Sequence, residues 1–201
     1  VSGCLLGYTS IAAEMGDADL KALVEQIAAE SLPVVEDPGI LSPRAFIDEV
    51  LHERFPNPAI PDTPQRIAAD TSQKLPVRYG GTLRRYARQS EQALAGLEFA
   101  PLVFAGWCRY LLGVDDRGNA MPVSPDPMLP QLQAHLKGIE VGRPDSLAGQ
   151  LRPILSNAAL FGVDLYAAGL GERTEEMFRD MLAGPGAVRA TLHRNCACKQ
   201  P

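Results

Sequence analysis

Arg66, Asp70 and Lys74 recur at intervals of four in the stretch Asn57–Pro76, NPAIPDTPQRIAADTSQKLP. On an α-helix, steps of four advance about 40° around the axis, so the three share one broad face, with the backbones of Arg66 and Lys74 about 12 Å apart. Two long cationic side chains leaving such points can converge on a small polar molecule, with an acid between them to orient either one. Charged donors make stronger and more directional hydrogen bonds than neutral ones. The same spacing also describes a solvated ion-pair stripe worth about 0.3–0.5 kcal/mol per pair. The residues alone leave both readings open.

The elements that must position these groups carry clear signals. Thr63 is a good N-cap, and Pro64 sits at the first helical position, where its missing N–H costs nothing. Pro76 predicts a stop near Leu75, because the residue before proline is pushed out of the α region. Pro56, Pro58 and Pro61 hold an extended approach to this helix. Elsewhere, Asp17 opens a helix whose Leu20, Leu23, Val24 and Ile27 form a core-facing stripe. Ser42–Pro43 repeats the cap-plus-proline start, and Val1–Met15 reads as the remainder of a helix. Ala100–Leu112, APLVFAGWCRYLL, is apolar almost all round and is predicted to be the most buried helix. Arg109 is its only charge and must be paired or face a polar cavity. A structural salt bridge and a pocket-lining role both fit it. Thr82–Leu97, Met128–Lys137, a segment to Leu155 and Gly171–Leu182 read as further helices. Alternation of period two is missing throughout. The predicted fold is all-α, with eight or so helices over residues 1–193 and a frayed tail over 194–201.

Three phrases in order carry a family resemblance. Arg54 and Phe55 followed by Asn57–Ile60, Arg66–Ala68, Asp70, Ser72 and Lys74–Pro76 match the pattern RF-x-NPAI…R-I-A-x-D-x-S-x-K-L-P. AGWCRYLLGVDDRGN at Ala105–Asn119 and LFGVDL at Leu160–Leu165 support it. The chain resembles the polyol-specific long-chain dehydrogenases, the mannitol dehydrogenase and fructuronate reductase family, from about Gly3 to about Leu192. The resemblance implies the multi-helical C-terminal substrate domain of a two-domain, NAD-dependent enzyme. Its partners would be an N-terminal Rossmann domain of the same polypeptide and a polyol, ketose or sugar acid. The family's catalytic lysine, asparagine and histidine would precede Val1, so no catalytic residue is assigned in this chain. That lysine would take the hydroxyl proton as hydride leaves for NAD, and the other two would stabilise the oxyanion. Arg66 and Lys74 match the family's substrate-binding cations. Asp70 would orient one of them, Asn57 would fix a turn, and Arg109 is a supporting candidate. Mannitol to fructose is the leading substrate pair, and fructuronate to mannonate is the alternative. A stand-alone helical interaction module is the rival from another class. The fragment by itself is expected to be inactive.

Composition bounds the rest. The 201 residues, 46% hydrophobic and 21% charged, are those of one globular domain. A net charge of −5 argues against nucleic acid or an anionic membrane as a partner. No glycine-rich phosphate loop, P-loop, secretion signal or membrane span is visible. Cys4, Cys108, Cys196 and Cys198 form no zinc-ribbon spacing and no disulfide framework, so cytoplasmic thiols are expected and no metal is assigned. The Cys196–Cys198 pair is a weak soft-metal signal.

Overall fold

The computed structural model describes residues 1–197. Among them lie fourteen α-helices, several of one turn, and no strand; extended pairing is confined to isolated bridges at Val114–Ala120 and Glu140–Arg143. The chain opens with α1 (Ser2–Leu5), α2 (Ile11–Met15) and α3 (Ala18–Ser31). The first fifteen residues are therefore not one helix. Gly7 turns the chain at φ 83°, and the Ser10 side chain caps a new start by accepting from the Ala13 N–H. Asp17 caps α3 as predicted, accepting from Asp19 and Leu20. α4 (Pro43–Glu49) buries no residue and widens into a π-turn over Val50–Arg54.

Next come α5 (Pro64–Ile67), α6 (Thr71–Arg78), α7 (Gly80–Gln89) and α8 (Glu91–Ala95). The helix predicted over Thr82–Leu97 is split at Ser90, whose hydroxyl accepts from Ala93 and starts α8 afresh. α9 (Phe99–Tyr110) follows, then α10 (Leu129–His135), α11 (Arg152–Leu155), α12 (Ala158–Phe161), α13 (Gly171–Met181) and α14 (Ala187–Cys196). α14 runs through Cys196, three residues past the predicted end of the domain at 193. The buried Val188, Leu192 and Cys196 hold it on the core.

α9 is the axis of the core. All of its residues except Val103 are buried. It packs on α13, α1 and α3. Phe104 meets Tyr79 and Phe161 edge-on at 5.3 and 4.8 Å between ring centroids, and Trp107 meets Phe161 at 5.9 Å. Its free N-terminal amides are satisfied from afar. The Glu30 carboxylate on α3 accepts from Glu98, Phe99 and Ala100 at 2.5, 2.9 and 3.1 Å. α7 and α12 meet backbone to backbone: a Cβ on Gly162 would lie 2.7 Å from Gly80 Cα.

Candidate functional site

The predicted cationic stripe is built on a corner rather than on one helix. Thr63 does cap α5, its hydroxyl accepting from the Arg66 N–H at 3.1 Å, with Pro64 in the first turn. α5 nevertheless ends after a single turn. Asp70 stands in the left-handed region at φ 53°, and α6 restarts at Thr71. The cause lies outside the segment: the Asp70 N–H donates to Pro125 O at 2.9 Å, which takes it out of the helical ladder. Asp tolerates that conformation better than most side chains. Pro76 does not stop the chain either. It sits inside α6, where buried Ser72 and Leu75 keep the segment helical as far as Arg78.

The corner rearranges the charges. Arg66 grips Asp62 with a fork, Nε to Oδ1 at 2.6 Å and Nη2 to Oδ2 at 2.5 Å. The Asp62 carboxyl is held below the usual carboxylate range, first by the Arg66 hydrogen bond, then by the Thr63 N–H and by the charges of Arg66 and Lys74. Lys74 Nζ donates to Ile67 O at 2.9 Å. The carboxylate that holds Arg66 is thus Asp62, in place of the Asp70 that the four-residue spacing suggests, and Lys74 bonds a backbone carbonyl. Asp70 makes no capping bond with its side chain, and its part is to turn the backbone. Two of the five N–H groups of Arg66 are used on Asp62 and one of the three on Lys74 is used on Ile67, so both cations keep donors for a ligand. Beside them is a hollow of about 90 Å³ lined by Ile11, Arg54, Phe55, Ile60, Asp62 and Ile67.

Asn57 fixes a turn: its Oδ1 accepts from the Ala59 N–H at 2.9 Å, and its carbonyl accepts from Ile60 at 3.1 Å. Arg109 is wholly buried and serves the core. It donates to the carbonyls of Met181, Val114 and Asp115 at 3.2, 2.6 and 3.2 Å. Burial lowers its pKa, and the charges of Asp116 and Asp115 oppose that shift. It does not line the hollow. The salt bridge that the sequence suggested is not formed among the described residues; backbone carbonyls stand where a carboxylate was expected.

What the sequence does not reveal is the brace behind the corner. Tyr110, at the end of α9, accepts from the Ser124 N–H at 2.6 Å and donates to the Ser124 hydroxyl at 2.9 Å. That hydroxyl donates onward to Gln65 O at 2.7 Å. Asp126 accepts from the Ser72 N–H and hydroxyl at 2.7 and 2.5 Å. On the other side, Gln65 donates to Tyr8 O, Ile11 N–H donates to Asp62 O, and α1 packs on α5. Ser124–Asp126 reads as a loop and a local cap in the sequence; only the fold brings it onto residues 65–72.

Among the described residues no group of three His, Cys, Asp or Glu side chains could hold a metal ion. Cys196 is buried on α14, and Cys198 lies outside the described residues. The same residues contain no strand leading through a glycine turn into a helix, so they do not fit a dinucleotide cradle.

Comparison with known proteins adds to this geometry. Residues 1–176 match the family described as mannitol dehydrogenase C-terminal domain. D-mannonate oxidoreductase of Thermotoga maritima is 53% identical over 192 residues, which cover 96% of this chain and 36% of that protein. Mannitol 2-dehydrogenase of Emericella nidulans is 35% identical over 173 residues, covering 82% of this chain and 30% of that one. Among solved structures, a ternary complex of Pseudomonas fluorescens mannitol 2-dehydrogenase with NAD and D-mannitol superposes with a TM-score of 0.75 at 26% identity. That match covers 99% of this chain and 37% of the other. The chain therefore spans about a third of the length of these relatives.

Proposed function

This chain belongs to the mannitol dehydrogenase family as its C-terminal domain, and on that premise we propose that it is the substrate-holding part of an NAD-dependent oxidoreductase. The reaction interconverts a secondary hydroxyl of a polyol or sugar acid with the corresponding ketone. Arg66 and Lys74 hold the oxygens of the substrate, and Asp62 tethers Arg66. One observation carries this reading: Asp62, which Arg66 grips, and Ile67, whose carbonyl Lys74 holds, both line one hollow, so the two cations of the family-like phrase are anchored on its wall with donors to spare.

NAD binding falls to an N-terminal Rossmann domain of the same polypeptide, since the described residues do not fit the cofactor. This chain contributes binding and orientation. A misplaced carbinol carbon loses reactive geometry steeply, so the grip of two cations on the sugar chain bears directly on rate. Between the two substrate pairs, the higher identity to the mannonate enzyme favours mannonate and fructuronate. The mannitol–fructose pair is supported by the structural neighbour that holds D-mannitol. Work on sugar metabolites fits a cytoplasmic enzyme, and no described helix is long and apolar enough to cross a membrane.

Steady-state kinetics of the full-length polypeptide test the proposal. Lys74→Ala should raise KM for the sugar substrate about tenfold or more, the cost of losing a charged hydrogen bond, and leave KM for NAD nearly as it was. The chain on its own should fold and show no NAD-dependent turnover. A Lys74→Ala enzyme with the wild-type sugar KM removes Lys74 from the site.

A further inference from the structure

Seven large hydrophobic side chains are exposed among the described residues, and they fall into two groups. Val35, Ile40, Leu41 and Phe46 lie on the strap before α4 and on α4 itself. Ile60, Ile67 and Val77 lie on the corner that carries Arg66 and Lys74, and Val77 is 77% exposed. Ile60 and Ile67 line the hollow, and Lys74 bonds the Ile67 carbonyl. Lys74 and Val77, three residues apart, are neighbours on the surface of α6. The second group therefore gathers around one place.

This face is built to keep one shape. Pro56, Pro58 and Pro61 fix φ along the exposed strap that carries Ile60. The Asn57 turn and the Thr63 cap hold the strap at either end. A surface that is already ordered loses little entropy when it is covered. Apolar side chains gathered in water and rimmed by polar ones mark contact surfaces. The rim here is polar, with Arg54, Gln73 and Arg78 exposed. That mixture is typical of an interface between domains of one chain, which is more polar than the interface of an obligate dimer.

The route of the chain indicates what covers it. Val1 leads into α1, which packs on α5. Gln65 then donates to Tyr8 O at 3.0 Å, the Ile11 N–H donates to Asp62 O at 3.0 Å, and Ile11 itself lines the hollow. The opening of the chain thus runs along the corner. In the relatives about two thirds of the polypeptide lies outside the matched part, and the matched family is a C-terminal domain. A segment of that size preceding Val1 would arrive beside this face. Resting on the function proposed above, we propose that the face of Ile60, Ile67 and Val77 docks the part of the same polypeptide that precedes Val1, and that this contact closes the open side of the hollow.

Val77→Cys and Ile60→Cys, each in the full-length polypeptide, read the cover directly through the rate of thiol labelling at that residue, followed by peptide mass. Both positions are exposed in this domain, so both variants should fold. Each should label about fivefold or more slower in the native protein than in the urea-unfolded one, at a rate independent of dilution. A smaller ratio at either position overturns the proposal, since the face then stays in water. Slow labelling that speeds up on dilution, with a dimer seen by light scattering, also overturns it, because the cover is then a second copy. NAD-dependent turnover of wild type, measured alongside, separates the two readings. Turnover with fast labelling leaves the function standing and removes the docking face. Protection without turnover keeps the docking face and removes the dehydrogenase reading.

Discussion

Asp126 caps the helix that Asp70 begins but does not cap. Its carboxylate reaches across 54 residues of sequence to accept both the N–H and the hydroxyl of Ser72, at 2.7 and 2.5 Å. Asp70 precedes α6 in the left-handed region and offers its side chain to none of the first-turn amides. The orphan donors of α6 are satisfied from the next strap of chain instead. The angle at which Lys74 leaves α6 is thus set by a residue outside the segment that contains it.

Asp126→Ala should cost the domain about 1–2 kcal/mol, the range for losing a helix cap, with the charged acceptor at the upper end. Urea denaturation gives the value directly. A change under about 0.3 kcal/mol would mean that the bond to Ser72 is not maintained in solution.

Asp62 and Asp70 separate cleanly by substitution. Asp62→Asn loosens the fork that holds Arg66 and should raise the KM of the full-length enzyme for its sugar substrate several-fold. Asp70→Asn keeps the left-handed corner, since asparagine adopts it at least as well, and should leave that KM within about twofold. Equal effects at both positions would return Asp70 to the role of orienting the cations.

Arg109→Met tests a purely structural charge. Three carbonyls would be left without their donor, each at about 1–3 kcal/mol if unsatisfied. A loss of about 3 kcal/mol or more in thermal or chemical unfolding is expected, or failure to fold. A stable variant with altered substrate KM would instead move Arg109 to the site.

Stability should fall on acidification through one identifiable group. Asp17 caps α3, accepts from the Tyr8 hydroxyl at 2.6 Å and pairs with Arg189 of α14, with only 6% of its side chain exposed. Its pKa lies well below the ordinary value, chiefly because of the Arg189 hydrogen bond. A depressed folded pKa contributes stability in full above the unfolded value of about 3.9 and loses it as pH falls toward the folded one. Urea midpoints of wild type should therefore drop between about pH 5 and about pH 2, and Asp17→Asn should flatten part of that slope. Parallel acid limbs in the two proteins count against this linkage.

The parts of the fold legible in the sequence are those whose causes lie close by. Thr63 and Asp17 cap helices through amides two or three residues ahead, and such a bond leaves a mark in composition. The apolar run of α9 announced its own burial. Three helix starts are satisfied from elsewhere: α9 by Glu30, α14 by Asp116, α6 by Asp126. Nothing near those starts records the partner. The break at Asp70 has the same origin, a carbonyl at Pro125. The Asp62–Arg66 fork was within reach of a sequence reading, being a four-residue pair, but the same four-residue rhythm running on through Arg66, Asp70 and Lys74 masks it.

The wall of the hollow and its foundation differ in how freely they can vary. Ile60 and Ile67 are 43% and 41% exposed, and Arg54 is exposed beside them, whereas Tyr110 and Ser72 behind the corner are buried. Randomising positions 54, 60 and 67 in a library should therefore return folded proteins with little loss of viable clones. Randomising 72, 110 or 126 would cut the polar links behind the corner and lower the stability of most clones. Evolution and laboratory selection meet the same asymmetry: change is most accessible at the rim, while the supporting polar links must be inherited together.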